Sequence, residues 1–165
     1  MPHQFLKYRK VQQTDRSWVD DFIKEHWGSS NVVVHQSVYY PKELEGFIAL
    51  TDDKYVGLIT FIMEKDKCEI VTLNSLIEKQ GIGSQLMKLV ESEAKANNCK
   101  QVWLITTNDN LNAISFYKKL GYKLTEVFPN AVELSRKIKP EIPLVAENGI
   151  PIRDELKFVM FINDK

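Results

Sequence analysis

The chain has 165 residues, 44% hydrophobic and 27% charged, the make-up of an ordinary globular protein long enough for a sizeable core. Its 22 basic and 22 acidic residues cancel, which leaves it without the basic field expected of a nucleic-acid binder. No apolar run reaches membrane-spanning length and residues 1–5 do not read as a secretory signal, so a cytoplasmic protein engaging neither membrane nor nucleic acid is expected.

In chain order, residues 8–12 read as a short strand. Thr14 or Asp15 then caps a helix. Trp18, Val19, Phe22, Ile23, His26 and Trp27 form an aromatic stripe on it, read as core. Residues 32–40 read as one extended segment, with His35, Tyr39 and Tyr40 as surface decoration and the lining of a pocket as the alternative. Residues 46–50, 55–63 and 67–73, joined by short polar turns, read as an antiparallel meander. Cys68 and Cys99 fall in or beside core elements and read as buried free thiols. No Cys/His spacing suits zinc, and no metal is expected.

The turn over residues 74–84 joins the buried strand ending at Leu73 to a helix with Leu86, Leu89, Val90 and Ala94 at helical spacing. Gly81 and Gly83 lack a Cβ, so the backbone bends tightly and a ligand can approach it. Helix-start amides carry partial positive charge, and a phosphate is the natural guest. Two nucleotide motifs do not fit. A P-loop requires Gly-Lys-Ser/Thr where Gly83-Ser84-Gln85 stands, and Leu86 occupies the third glycine position of the dinucleotide fingerprint. The turn taken alone is also consistent with a plain structural turn.

Residues 101–107 form the next buried strand, and the strand–helix–strand unit predicts a right-handed parallel crossover. Residues 110–121 read as a helix capped by Asp109 or Asn110 and ended by Gly121. A strand over 122–127, a short helix near 131–137, prolines at 140, 143 and 151, and a closing strand over 157–162 complete the chain. With no repeats or linkers, residues 1–165 read as one domain, in which 128–165 supply a variable connection and the closing strand.

The strand–turn–helix with Gly81 and Gly83, a following strand, and the series Asn110, Ala113, Phe116, Tyr117, Gly121 and Tyr122 together resemble the GNAT superfamily of acyl-CoA-dependent N-acetyltransferases. The resemblance covers roughly residues 8–127, with motif detail over 67–127. The tail resembles an uncharacterised bacterial subgroup. The resemblance implies an α/β (α+β) fold with a mixed sheet of about seven strands. The sheet would be flanked by helices and splayed between its fourth and fifth strands. It also implies acetyl-CoA as cosubstrate, an amine acceptor, and a monomer or homodimer. Val71 and Leu73 would pair with the pantetheine, and Lys79, Gln80, Gly81, Ile82, Gly83 and Ser84 would receive the pyrophosphate. Asn110 and Tyr117 would complete the cofactor site. Glu78 stands where the family carries Gln or Arg, a carboxylate beside a phosphate position.

An amine of pKa ~10 must lose a proton before attack. Glu69, on the key strand and in strict alternation on the face of Val71 and Leu73, is the candidate base, and a salt-bridge role is the alternative. Asp154 and Glu155 are weaker candidates. By the resemblance Tyr117 lies near the cofactor sulfur, where its phenol can serve as acid; the alternative is packing beside Phe116 with its hydroxyl on backbone. Arg136, Lys137, Lys139 and Arg153 read as solvated surface, with contact to an acidic substrate or to the cofactor's phosphates as the alternative. A non-catalytic acyl-CoA-binding or regulatory module is the rival functional reading.

Overall fold

Alternating apolar residues build the centre of the molecule. In strand β4 (Glu45–Thr51) Phe47 and Ala49 face one side and Ile48 the other; in β5 (Lys54–Glu64) Ile59 and Phe61 oppose Leu58. Two buried clusters result, one on each face of a single sheet. The computed structural model describes residues 5–162; residues 1–4, most of the stretch read above for a targeting signal, lie outside it.

The elements follow in order: β1 (Leu6–Lys10), α1 (Arg16–Trp27), β2 (Val32–Val34), β3 (Ser37–Tyr39), β4, β5, β6 (Lys67–Ser75), α2 (Ile82–Ala96), β7 (Gln101–Thr107), α3 (Leu111–Lys119), β8 (Lys123–Phe128), α4 (Ala131–Ile138) and β9 (Glu155–Phe161). Seven strands form one sheet in the order β1-β4-β5-β6-β7-β9-β8. All pairs are antiparallel except β6–β7, the pair joined by α2. The mixed sheet and its flanking helices are those expected. The sheet also parts between its fourth and fifth strands: β6 and β7 pair only from Lys67–Gln101 to Ile70–Leu104, and both strands then continue unpaired toward each other.

Helix α2 lies on one face with Ile82, Leu86, Met87, Val90 and Ala94 buried. Gly57 makes that approach possible. A Cβ there would lie 2.7 Å from the Ile82 side chain and 3.2 Å from that of Leu86. Helix α1 covers the other face through Val19, Phe22 and Ile23, and Trp18 stacks on Tyr55 with centroids 4.0 Å apart. The predicted stripe is core only in part: Trp27, the last residue of the helix, is 40% exposed.

Three further expectations are corrected. Asp15 does not cap α1 with its side chain. The carboxylate instead accepts from the Gln12 N–H and Tyr55 hydroxyl and forms a two-pronged pair with Arg9. Residues 32–40 are not one strand but the hairpin β2–β3, which turns at His35 and Gln36 with φ of 47° and 68°. Consecutive positive φ values are what a tight hairpin turn requires, and neither residue is a glycine or asparagine that would have announced it. Third, β6 does not alternate strictly. Its register against β5 passes from Thr60–Thr72 to Phe61–Ile70, so Val71 is an additional residue in a bulge. Ile70 and Leu73 consequently pack on the α2 face, while Glu69 and Thr72 point to the other.

Cys68 and Cys99 are free and buried, and burial pushes the Cys68 thiol up to about 12.

Candidate functional site

On the α2 face, the end of β6, the 77–81 turn and the first turns of α2 and α3 enclose a groove of about 470 Å³. The turn begins where the Ser75 hydroxyl donates to the Ile77 carbonyl. Gly81, with φ 70°, precedes the first residue of α2; a Cβ there would meet nothing within 4 Å, so the backbone is open to an incoming group. Asn110 rather than Asp109 caps α3, its Oδ1 accepting from the Ala113 N–H at 3.4 Å.

Of the residues read from the sequence, Leu73, Lys79, Gly81, Ile82, Gly83, Ser84, Asn110 and Tyr117 line this groove. Gln80 does not, and Val71 is buried in the bulge. Ser75, Ile77, Asn112, Ala113 and Phe116 line it without having been singled out as contacts; Ala113 and Phe116 were visible in the motif, the first three positions after Asn110 and the second one before Tyr117. Glu78 also faces the groove and makes no ion pair among the described residues.

Tyr117 is 8% exposed and packs among Phe116, Tyr122 and Phe158. Burial raises its phenol to about 12, so it stays protonated across the neutral range. Its hydroxyl has no hydrogen-bond partner among the described residues, so the packing part of the alternative reading holds and the backbone hydrogen bond does not.

Glu69 lies across the sheet from that groove, because of the bulge. It is 6% exposed and accepts from the Tyr39 hydroxyl at 2.7 Å. Burial raises its pKa, and the Tyr39 hydrogen bond opposes the rise. The alternative of a cross-strand salt bridge is not realised among the described residues. Glu155, also buried, accepts from the His35 N–H at 3.0 Å and lies 2.8 Å from His35 Nδ1. Tyr39 and His35 are therefore not surface decoration: the β2–β3 hairpin lays one on each buried carboxylate. Asp154 turns away and accepts from the Asn130 N–H.

The tail cations divide. Arg153 and Lys137 are exposed as expected. Arg136 is pinned by the carbonyls of Ile142, Pro143 and Ile152, and Lys139 is 5% exposed, so neither is solvated surface. Among the described residues no group of three or more His, Cys, Asp or Glu is placed to hold a metal, and no helix is long and apolar enough to cross a membrane.

A sheet parted at its one parallel pair, with a glycine turn feeding a helix beside the gap, is the architecture of the acyl-CoA-dependent acyltransferase class. Residues 11–122 match the family model described as Acetyltransferase (GNAT) family, and the chain belongs to that family. It is 51% identical over 148 residues to the uncharacterised protein YxbD of Bacillus subtilis (strain 168), covering 89% of this chain and 93% of that protein. Its fold is similar to that of a Bacillus subtilis acetyltransferase solved in complex with CoA, with a TM-score of 0.69 and 18% identity over 96% of this chain and 100% of that one. It is also similar to that of a GNAT family acetyltransferase from Elizabethkingia anophelis with acetyl-CoA bound, with a TM-score of 0.66 and 20% identity over 95% and 98% of the two chains.

Proposed function

We propose that this chain transfers the acetyl group of acetyl-CoA to a primary amine of a small molecule or peptide. The observation that carries this reading is the gap between β6 and β7, which has the glycine groove on one face and two buried carboxylates on the other. Solved structures of the same fold hold CoA and acetyl-CoA, which supports the choice of donor.

The residues present fit such a donor. The β6 backbone beyond Ile70 is unpaired toward β7 and offers its polar groups to an extended pantetheine. The open backbone at Gly81 and the free amides at the start of α2 suit a pyrophosphate. In this reading Leu73, Lys79, Gly81, Ile82, Gly83, Ser84 and Asn110 hold the donor. When bound, its thioester supplies an activated acyl carbon. Glu69, on the opposite face, receives the proton of the incoming ammonium directly or through water, and Tyr117 gives its proton to the departing sulfur.

The testing experiment is thiol release from acetyl-CoA with a panel of amines. Turnover is expected; tight binding of acetyl-CoA without turnover on any amine would identify a non-catalytic module instead. Two variants refine this. A Cβ on Gly83 would lie 3.2 Å from the Phe116 ring, so Gly83→Val crowds the groove wall and removes space at the helix start. Calorimetry should show at least a tenfold loss of CoA affinity, ~1.4 kcal/mol. Unchanged affinity in the folded variant removes this site.

Glu69→Gln is expected to slow transfer most at lower pH, where free amine is scarce and a base contributes most. Once the pH falls below the carboxyl's own pKa, which burial raises, the wild type loses this base as well, so the gap should widen as free amine becomes scarce and close again where Glu69 protonates. A variant with the wild-type pH–rate profile would make Glu69 a structural residue.

A further inference from the structure

On the β2–β3 face a second cavity, about 420 Å³, opens beneath α4 and the connection that follows it. Its wall is mostly apolar, with Trp27, Val33, Val132, Ile142 and Ile152 contributing. Three charged side chains line it: Glu141, which is exposed, and two that are buried. One is Glu155, 3% exposed; the other is Lys139, 5% exposed. They come from opposite ends of the 139–155 connection, which Arg136 holds in place through three carbonyls.

The two charges are not spent on each other. Lys139 Nζ donates to the Asn31 carbonyl at 2.6 Å and makes no ion pair among the described residues. Burial works against its charge, and Glu141, which lines the same cavity, offsets only part of that cost. A buried ammonium without a carboxylate is expensive unless an anion joins it. Glu155 has one hydrogen bond from His35 on each oxygen, and a carboxylate oxygen can accept a second. Ser135, 2% exposed, borders the same cavity with its hydroxyl unpartnered.

The cavity also touches the gap. Thr107, at the end of β7 that pairs with β9 but not with β6, lines the cavity, and Asn110, three residues on, lines the donor groove. Between them Asn108 clamps this turn to the connection, donating to the Pro151 carbonyl and accepting from the N–H groups of Arg153 and Asp154.

We propose that this cavity binds an α-amino acid with an apolar side chain, its carboxylate at Lys139 and its ammonium at Glu155. That such a ligand is the acetyl acceptor rests on the function proposed above, and in that case Glu155 rather than Glu69 is the carboxylate that meets its ammonium. The volume lies in the lower half of the ~300–1,000 Å³ usual for small-molecule sites, which suits a ligand the size of one amino acid. A polyamine would set a second cation against Lys139. An amine with no acid group leaves Lys139 unpaired.

The test is calorimetry on the CoA-loaded protein with two matched sets: L-phenylalanine with phenethylamine and 3-phenylpropionate, and L-leucine with 3-methylbutylamine. At least one amino acid is expected to bind tenfold or more tightly than its matched amine. Lys139→Met, which keeps the aliphatic stem, should bring the amino acid down to the affinity of the amine and leave the amine unchanged. Ile142→Trp removes no charge and fills the cavity from the connection, so it should abolish binding of the whole set even if Lys139→Met does not fold. The proposal is overturned if neither amino acid binds more tightly than its amine, or if Ile142→Trp binds as the wild type does. Thiol release separates the two readings. Acetylation of other amines with no amino-acid binding sinks the cavity site alone, and amino-acid binding without any transfer sinks the acetyltransferase reading alone.

Discussion

Tyr117→Phe is expected to lower kcat by ~10²–10⁴, the usual worth of a positioned general acid, while CoA affinity changes little. The substitution keeps the ring that packs among Phe116, Tyr122 and Phe158 and removes only the hydroxyl, so the fold should survive. The physical case is one of proton supply. A departing thiolate with a conjugate pKa of ~8.5 is a modest leaving group at neutral pH, and a proton donated as the C–S bond breaks lowers the barrier. A phenol held at about 12 is always protonated at pH 7, and no hydrogen bond among the described residues ties it up. The cost of the same burial is a weaker acid, so the effect should lie toward the lower end of that range. Single-turnover kinetics, in which chemistry limits the rate, are the measurement. A folded Phe variant with near-normal single-turnover rate would leave Tyr117 as a packing residue.

Asp15→Ala is expected to destabilise the protein by about 3 kcal/mol, the lower end for breaking a buried ion pair. The carboxylate is 1% exposed and ties three segments together: Arg9 on β1 at 2.6 and 3.0 Å, the Gln12 N–H at 2.7 Å, and the Tyr55 hydroxyl of β5 at 2.8 Å. Arg9 is partly solvated, which favours the lower figure, because its freed guanidinium regains water. The Tyr55 hydroxyl and the Gln12 amide lose their acceptor outright. Urea unfolding at pH 7 measures the loss. The pH dependence has a definite sign. Hydrogen bonding to Arg9 lowers the folded pKa to about 2, below the ~3.9 of a free aspartate. The stabilisation is therefore complete above the unfolded value and lost as pH falls through the folded one. The stability gap between wild type and Asp15→Asn should accordingly narrow from pH 4 toward pH 2. A gap that stays constant over that window would assign the effect to packing rather than charge.

Both residues show how far local sequence carries. Tyr117 was legible because α3 is a self-contained signal, with an asparagine cap, apolar spacing and a terminal glycine within a dozen residues. Asp15 read locally as a helix cap. Its real partners lie on two strands, one of them forty residues away, and no local pattern points to them.

By itself the sequence determined the meander, the strand–turn–helix around Gly81 and Gly83, the parallel crossover and most of the groove wall. These follow from periodicity and turn chemistry, which act over a few residues. Only the tertiary structure decided which face Glu69 occupies. One additional residue in β6 reverses the alternation, and the choice of where to bulge belongs to the pairing with β5, not to β6 alone. Likewise, His35 meets Glu155 across 120 residues, and Lys139 reads as an ordinary surface lysine until the connection folds over it. Burial and long-range pairing arise from how elements dock, so charges whose chemistry depends on losing water become recognisable only once the chain has closed around them.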